Sequence, residues 1–486
     1  MSDNYRPEQG SANCISRLQS ASFATRLNAF FYSPFYIALV GIMALAANIF
    51  ALELPVYSIY MLLGVLISLF GKDYLPIIPI VICSYIAPSV SNNPGRNETS
   101  IFFGTTGVFL LCLAAAFVLS LILRLALDPA IGRKAFFTKK RTFLPSLLAL
   151  GASYLLAGAF SGHYWDRGYR NLVFASLQFL AVFLLYYLLC GAVRWETAPK
   201  NYLAWVGFCV GFVLLGELMN IYLTHDIFVT GDVLRSYICT GWGHYNNMGV
   251  LLAMMIPFAF HLACTSKQGW FFYFCGAVLF FGVLVTFSRS SILFGCFGFA
   301  ASFFLTLARA KNRRSVLIAN SILIGAALVL LVAIRQPLAQ VLNNVLTSVE
   351  SMNMRQEGYV AGFEQFSDYP LFGGTFYPLD IKLYEYSNVE AFTAFFPARW
   401  HNTFVQLLAS TGIVGLAAYL WHRAQTIRFL LRKPTINVLF IGISASMLLL
   451  CSLLDCHFFN IGPVLLYSIA LAVAEKTPPE EDAQTE

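Results

Sequence analysis

Long apolar runs recur from residue 33 to residue 474, and they constrain the fold of this chain more than any other feature. A helix needs about 20 predominantly apolar residues to cross a bilayer. We predict fourteen such segments: residues 33–54, 56–71, 74–90, 101–127, 142–162, 171–193, 202–224, 246–264, 270–288, 290–308, 316–335, 403–422, 435–454 and 457–474. Only 11% of the 486 residues are charged, against roughly a quarter in soluble domains. The sequence therefore predicts an all-α, polytopic membrane helix bundle with about 14 transmembrane helices.

The distribution of Lys and Arg predicts the orientation of the bundle, because cytoplasmic connectors are enriched in these residues. With the N-terminus inside, the cytoplasmic connectors carry Arg133, Lys134, Lys139, Lys140, Arg141, Arg194, Lys200, Lys267, Arg309, Lys311, Arg313, Arg314, Arg423, Arg428, Arg432 and Lys433. The outer connectors hold only Arg96, Arg167, Arg170, Arg235, Arg289, Arg335, Arg355, Lys382 and Arg399. We therefore expect both termini in the cytoplasm. The net charge of +7 belongs to these connectors and does not indicate nucleic-acid binding.

This topology divides the chain into five parts. Residues 1–32 form a cytoplasmic N-terminal segment, residues 33–335 a transmembrane bundle, and residues 336–402 one long extracytoplasmic loop. Residues 403–474 form the C-terminal transmembrane helices, and residues 475–486 a cytoplasmic tail. Within the loop, residues 353–366 have the pattern of an amphipathic helix, and the Pro- and Gly-containing run at 368–374 predicts the turn that ends it.

The outer cations are eight arginines and one lysine, which favours an anionic ligand because the planar guanidinium grips phosphate through two hydrogen bonds. Arg289 lies in Phe-Ser-Arg-Ser-Ser between two apolar runs. It could be a snorkelling residue of a tight turn or part of an anion site. Arg355 precedes the aromatic residues of the loop helix. It could equally be solvated or paired with Glu357 or Glu364.

The segment Arg399-Trp400-His401-Asn402 ends the long loop and opens the next apolar run. His401 and Asn402 could simply satisfy backbone groups at the start of a helix. An imidazole that titrates near neutrality can also take a proton from a hydroxyl, and the nearby Arg399 would help to keep it neutral. His401 therefore suits the role of a general base as well as that of a helix cap.

Other polar residues at the outer boundary have less definite roles. Asn246 or Asn247 is an expected N-cap of the span at 246–264, with a contact to sugar as the alternative. Glu217 is an acid inside the span at 202–224, and it could pair with an outer arginine such as Arg235 or Arg289, or line a polar cavity. Asp455 and His457 mark another boundary, without an assigned role.

The sequence contains no Walker A, Gly-x-Gly-x-x-Gly, His-Glu-x-x-His or zinc-binding spacing. We therefore predict neither a nucleotide site nor a metal site, and no cofactor. An enzyme of this kind needs a substrate that is already activated, and a lipid-anchored diphosphate presented at the outer leaflet meets that need.

The run from Arg399 to Gly415, with its His-Asn pair, Gln406 and Thr-Gly-Ile-Val-Gly stretch, resembles the signature of the O-antigen ligase and Wzy-type polymerase superfamily. The Phe-Ser-Arg-Ser boundary at 287–290, Arg355 before an aromatic helix, and the Pro-Leu-Phe-Gly turn at 370–373 agree with it. The resemblance covers roughly residues 200–425, about half of the chain. It implies a GT-C-like glycosyltransferase of the bacterial cytoplasmic membrane.

The resemblance also implies a substrate and a mechanism. The donor would be an undecaprenyl-diphosphate-linked glycan at the outer face, with the diphosphate held by Arg289, Arg355 and Arg399. His401 would activate the acceptor hydroxyl, with inversion and without a metal, and Asn402, Glu217 and Asn246 could contact or orient substrate. For a polymerase the acceptor would be another lipid-linked repeat, and for a ligase it would be a lipid or a protein. The fourteen predicted spans favour a polymerase. A flippase is a third reading, and a flippase or chain-length regulator could be a partner.

Overall fold

The computed structural model describes residues 22–86, 104–128, 131, 141–162, 164, 169–229, 232–233, 235–240, 243–310, 313–333, 350–377, 399–432 and 434–477. Within them the chain is almost entirely helical. The helices are α1 Ser22–Phe31, α2 Pro34–Phe50, α3 Glu53–Phe70, α4 Ile77–Ile86, α5 Gly104–Leu127, α6 Leu144–Leu155, α7 Tyr169–Phe179, α8 Leu185–Ala192, α9 Tyr202–Thr224, α10 Tyr245–Thr265, α11 Gly269–Leu284, α12 Arg289–Arg309, α13 Arg313–Ala333, α14 Glu350–Asp368, α15 Thr403–Arg432, α16 Ile436–Cys451 and α17 Ile461–Lys476. A π-helical turn, Leu180–Leu184, joins α7 to α8.

The described residues include seven helices that are long and apolar enough to cross a membrane. They are α3, α5, the joined α7 and α8, α9, α10, α12 and α15. The pair α1 and α2, bent by 66°, would make an eighth span, and α6, α11 and α16 are shorter apolar helices. The prediction of a helical, multi-pass membrane protein is confirmed. The exact count of fourteen stays a prediction, although a helix lies in each predicted segment.

Helix α10 forms the centre of the bundle. Every residue from Asn246 to Cys264 is buried, because helices α9, α11, α12 and α16 pack around α10. An apolar surface on all sides suits such burial among other helices. The N-terminal turn of α10 is therefore held firmly, and it brings Asn246 and Asn247 to one end of the bundle.

Connectors that we predict to lie on the same side of the membrane contact each other at the same end of the bundle. At one end Asn201 bonds Thr265, Glu475 accepts from the backbone of Thr142, and Asn437 bonds Thr477. At the opposite end the start of α15 is joined to the 452–460 connection. Two short hairpins lie between α9 and α10. One pairs β1 Phe228–Val229 with β2 Asp232–Val233, and the other pairs β3 Cys239–Thr240 with β4 Gly243–His244.

One expectation about a segment end needs correction. Helix α15 continues to Arg432, ten residues beyond the predicted segment, so Arg423 is a buried residue of a helix and not part of a connector. Its guanidinium lies 4.5 Å from the ring centre of Tyr419 and 4.4 Å from that of Phe458, and donates to the hydroxyl of Tyr467 at 2.7 Å. At the other terminus, residues 22–31 of the predicted N-terminal segment form α1.

The predicted long loop is described in part. The amphipathic helix expected at 353–366 is present as α14 and extends from Glu350 to Asp368. The turn at 370–374 follows it, and residues 399–402 lead into α15. Residues 336–349 and 378–398 lie outside the described residues.

Candidate functional site

The segment before α15 has an unusual backbone conformation that is fixed by its neighbours. His401 has a φ of 50°, in the left-handed region that few residues other than glycine adopt. Trp400 is buried beside Val405 and Ala409, and its backbone N–H donates to Oε1 of Gln406 at 3.2 Å. The large buried indole thus anchors the segment, while the neighbouring His401 side chain stays 39% exposed.

Asn402 supplies the cap of α15. Its Oδ1 accepts from the backbone N–H groups of Phe404 at 2.8 Å and Val405 at 3.2 Å, which satisfies donors that lack partners in the first helical turn. Its Nδ2 donates to the carbonyl of Leu453 at 2.9 Å. The side chain is therefore engaged in fixing α15 to the 452–460 connection.

His401 lies against Asp455. The imidazole Nδ1 is 3.4 Å from the carboxylate Oδ1, and the two side chains differ in exposure, 39% for His401 and 5% for Asp455. A buried carboxylate next to Nδ1 favours the tautomer in which Nδ1 carries the hydrogen and Nε2 can accept a proton. In that tautomer Nε2 of the partly exposed imidazole is the atom that can accept a proton.

Asp455 is held as an anion by its surroundings. Its Oδ2 accepts from Nδ2 of Asn246 at 3.0 Å, and its Oδ1 accepts from the backbone N–H of Cys456 at 2.7 Å. Burial alone would raise the pKa of Asp455, but the imidazoles of His457, His401 and His244 hold that pKa well below its usual range. The ionised carboxylate can thus orient His401 at neutral pH.

The cap of α10 differs from the sequence expectation. His244, not Asn246 or Asn247, is the N-cap, and its Nδ1 accepts from the backbone N–H of Asn246. This leaves the Asn246 side chain free to reach Asp455. Burial lowers the pKa of His244 to about 4, with a smaller contribution in the same direction from Arg399 and in the opposite direction from Asp455. His244 is therefore neutral at physiological pH.

Arg399 faces a buried amide network. Its Nη1 donates to Oδ1 of Asn460, and Nδ2 of Asn460 donates to Oδ1 of Asn247. Nδ1 of His457 lies 3.2 Å from the same Asn247 oxygen, and its Nε2 lies 3.9 Å from Oδ2 of Asp455. Arg399 thus supports the connection that carries Asp455.

Three arginines from separate elements converge beside this pair. Arg289 is the first residue of α12, and Arg235 and Arg355 both interact electrostatically with it. Arg355 lies on α14, and Arg235 lies in a short turn between the two hairpins. Arg355 also interacts electrostatically with His457 and with Tyr359, and the Tyr359 hydroxyl donates to the carbonyl of His401 at 3.4 Å. The concentration of positive charge lies next to the His401–Asp455 pair.

The turn at 370–374 packs against a break in α15. Gly412 has φ 66° and ψ −162°, and there the N–H groups of Ile413 and Val414 donate to the carbonyls of Pro370 and Leu371 at 2.9 and 3.3 Å. A Cβ on Gly412 would lie 2.4 Å from the carbonyl carbon of Leu371. This junction fixes the end of α14 to the middle of α15, and so places Arg355 relative to His401.

Glu217 lies apart from these residues. It is completely buried in α9, and neither carboxylate oxygen has a hydrogen-bond partner among the described residues. The expected ion pair with Arg235 or Arg289 is absent from the described part of the chain.

Two further features of the described residues complete the survey. No group of three His, Cys, Asp or Glu side chains within them is placed to hold a metal ion. A cavity of about 280 Å³ lies at the far end of α9, beside Tyr32, Lys200, Asn201 and Trp205. It contains none of the residues predicted for the outer site.

Asp455, Asn246 and Arg235 complete a site that the sequence only partly predicted. The Asp455 carboxylate is 54 positions from His401 and looks like an ordinary helix-boundary residue, so only the fold reveals the pairing. The sequence did indicate Arg235 in part, because it is one of the arginines in the predicted outer connectors. Asn246 was predicted as a possible orienting residue, and it does contact Asp455.

Comparison with known families gives one match. Residues 271–420 match the family model described as O-antigen ligase, a segment that includes Arg289, Arg355 and His401. A comparison with curated proteins gives no match. The matched segment does not extend to Asp455 or Arg235.

Proposed function

We propose that this chain, whose residues 271–420 match the family model described as O-antigen ligase, is a membrane glycosyltransferase of the O-antigen ligase and Wzy superfamily. Its donor is a glycan linked to undecaprenyl diphosphate, and it acts at the outer face of the bacterial cytoplasmic membrane. Both termini are then cytoplasmic, and the chain makes about fourteen spans. The observation that carries the proposal is the contact between His401 and the buried Asp455 beside several arginines.

The reaction is a displacement at the anomeric carbon of the donor sugar. Nε2 of His401 accepts the proton of the acceptor hydroxyl, while Asp455 holds Nδ1 and stabilises the imidazolium that forms. The acceptor oxygen bonds to the anomeric carbon from the face opposite the diphosphate, which inverts its configuration. The carbon–oxygen bond to phosphate breaks, and its electron pair leaves with the diphosphate.

Arg289 and Arg355 hold the diphosphate in this proposal. Guanidinium groups form paired hydrogen bonds with phosphate oxygens, and fixed cations in a site of low dielectric stabilise the charge of a leaving group without reorganisation. No metal ion is needed for this role. Arg399, through Asn460, and Asn402, through Leu453, position the residues that react.

Transfer assays with the purified full-length protein test this proposal. His401→Ala and Arg355→Ala should abolish product formation from lipid-linked glycan while protein level and thermal stability stay normal, and wild-type activity should survive chelation of divalent ions. Normal product length in both variants would exclude the catalytic assignment. Product made by the purified protein from donor already on its outer side would exclude a flippase.

The acceptor distinguishes two forms of this activity. The number of predicted spans favours a polymerase, which extends one lipid-linked repeat with another. The description of the matched family favours a ligase, which transfers finished glycan to a lipid or protein. Incubation with lipid-linked repeats alone distinguishes a polymerase from a ligase, since only a polymerase forms a ladder of products. A polymerase could also act together with a chain-length regulator or a flippase.

A further inference from the structure

Arg235 has no place in the mechanism above, yet the fold brings it to the same cluster. It belongs to the 3₁₀ turn Arg235–Tyr237, far from α12 and α14 in sequence. Both Arg235 and Arg355 interact electrostatically with Arg289. Within the part of the chain that the structure describes, neither Arg235 nor Arg355 has a carboxylate within ion-pair distance. Like charges gathered in this way oppose one another, so an anion is the ligand that would stabilise them.

The position of Arg235 is fixed by contacts on α10. Its guanidinium carbon lies 5.1 Å from the ring centre of Tyr245, the first residue of α10. Tyr245 also interacts electrostatically with Arg289, and the ring of His244 lies 5.2 Å from that of Tyr245. The neighbouring Asn246 donates to Asp455. The first residues of α10 therefore connect Arg235 to the His401–Asp455 pair.

The charge on the diphosphate changes during the proposed reaction. In the donor, each phosphate group carries one negative charge, and two arginines match them. When the bond to the sugar breaks, the oxygen that remains on phosphate gains a further negative charge. A cation that matches this additional charge stabilises the transition state more than the bound donor, and such an interaction raises kcat with little effect on donor affinity.

We propose that Arg235 is the third cation of the diphosphate site and that it stabilises the charge that develops on the leaving oxygen. This inference rests on the proposed function. If Arg235 has this role, the released lipid diphosphate, with its additional charge, is the ligand whose affinity depends most on Arg235. Arg289 and Arg355 bind donor and product alike.

Steady-state kinetics of Arg235→Gln in the full-length protein test the assignment. The expected result is a fall in kcat of about 10²- to 10³-fold, with the KM for the lipid-linked donor changed by less than about 3-fold. Inhibition by undecaprenyl diphosphate should weaken by at least about 10-fold, because the product carries the additional charge. Arg235→Lys, which keeps the charge but not the planar fork, should retain intermediate activity.

Arg170→Gln is the matched control, since it removes one arginine from another predicted outer connector. It should leave kcat and product inhibition unchanged. A normal kcat in Arg235→Gln, or an equal loss of donor and product affinity, would overturn the role of Arg235. A wild-type protein that transfers no glycan, or a fully active His401→Ala, would instead overturn the proposed function. If Arg235→Gln does not fold, the same measurements on Arg235→Lys decide the matter.

Discussion

Substitution of Gly412 by alanine should damage both the stability and the activity of this protein, because of the junction between α14 and α15. The backbone at Gly412, with φ 66° and ψ −162°, lies in a region that is restricted essentially to glycine. Forcing another residue into it costs on the order of 1–3 kcal/mol. The added Cβ would also lie 2.4 Å from the carbonyl carbon of Leu371 and 2.7 Å from the nitrogen of Gly373. The turn at 370–374 would have to move.

The cost of that movement can be estimated from the hydrogen bonds at the junction. Ile413 and Val414 donate to the carbonyls of Pro370 and Leu371, and each of these bonds contributes about 1 kcal/mol. With the backbone strain, Gly412→Ala should destabilise the fold by on the order of 3–5 kcal/mol. The transfer rate should fall by more than about 10-fold in any folded fraction, because Arg355 would shift relative to His401.

The loss of stability is measured by heating the detergent-solubilised protein and monitoring its unfolding by size-exclusion chromatography. The glycan-transfer assay measures the loss of activity. Gly358→Ala is the matched control on α14, where an added Cβ meets no atom within 4 Å. It should be neutral or stabilise the helix by about 0.5–1 kcal/mol. A melting temperature of Gly412→Ala equal to that of the wild type would refute the role of the junction.

Three other substitutions test separate parts of the structure. Asp455→Asn should lower kcat by about 10²- to 10⁴-fold with KM preserved, because an amide no longer selects the reactive tautomer of His401; a rate within about 3-fold of wild type would contradict this. Glu217→Met should keep full transfer activity and a melting temperature at least equal to wild type, since the buried carboxylate has no hydrogen-bond partner among the described residues; an inactive but folded variant would show that Glu217 is functional. His244 has a pKa of about 4 in the fold against an ordinary value of 6.5, so the unfolded chain takes up a proton that the folded chain does not. Stability should therefore decline as pH falls from about 6.5 towards 4. Melting curves of His244→Asn should show a weaker decline, whereas an unchanged pH dependence would exclude a contribution from His244.

The helices were predictable from the sequence because hydropathy is a local property. Runs such as 202–224 and 246–264 correspond closely to α9 and α10. The end of α15 was not predictable in this way. Arg423 looks like the first cation of a connector, but the rings of Tyr419 and Phe458 and the hydroxyl of Tyr467 accommodate it inside the bundle.

The site was predictable only where its residues form a local signature. His401 follows an arginine and precedes an asparagine at the end of a polar segment, and Arg289 is flanked by serines. Asp455 has no such neighbours, and its role depends on a contact between distant segments. Hydropathy also contains no information on backbone angles, so the break at Gly412 was recognisable only in three dimensions.

The junction at Gly412 has a consequence for the response of the protein to its bilayer. Arg355 and His401 belong to one unit, because the backbone of the turn at 370–374 is bonded to α15 itself. Arg289 begins α12, whose tilt would adjust to the thickness of the surrounding lipid. Acyl chain length should therefore alter how tightly the donor is bound, because it would change the position of Arg289 relative to Arg355. In the proposed mechanism the two arginines that hold the diphosphate thus belong to mechanically separate parts of the bundle, and only one of these parts carries His401.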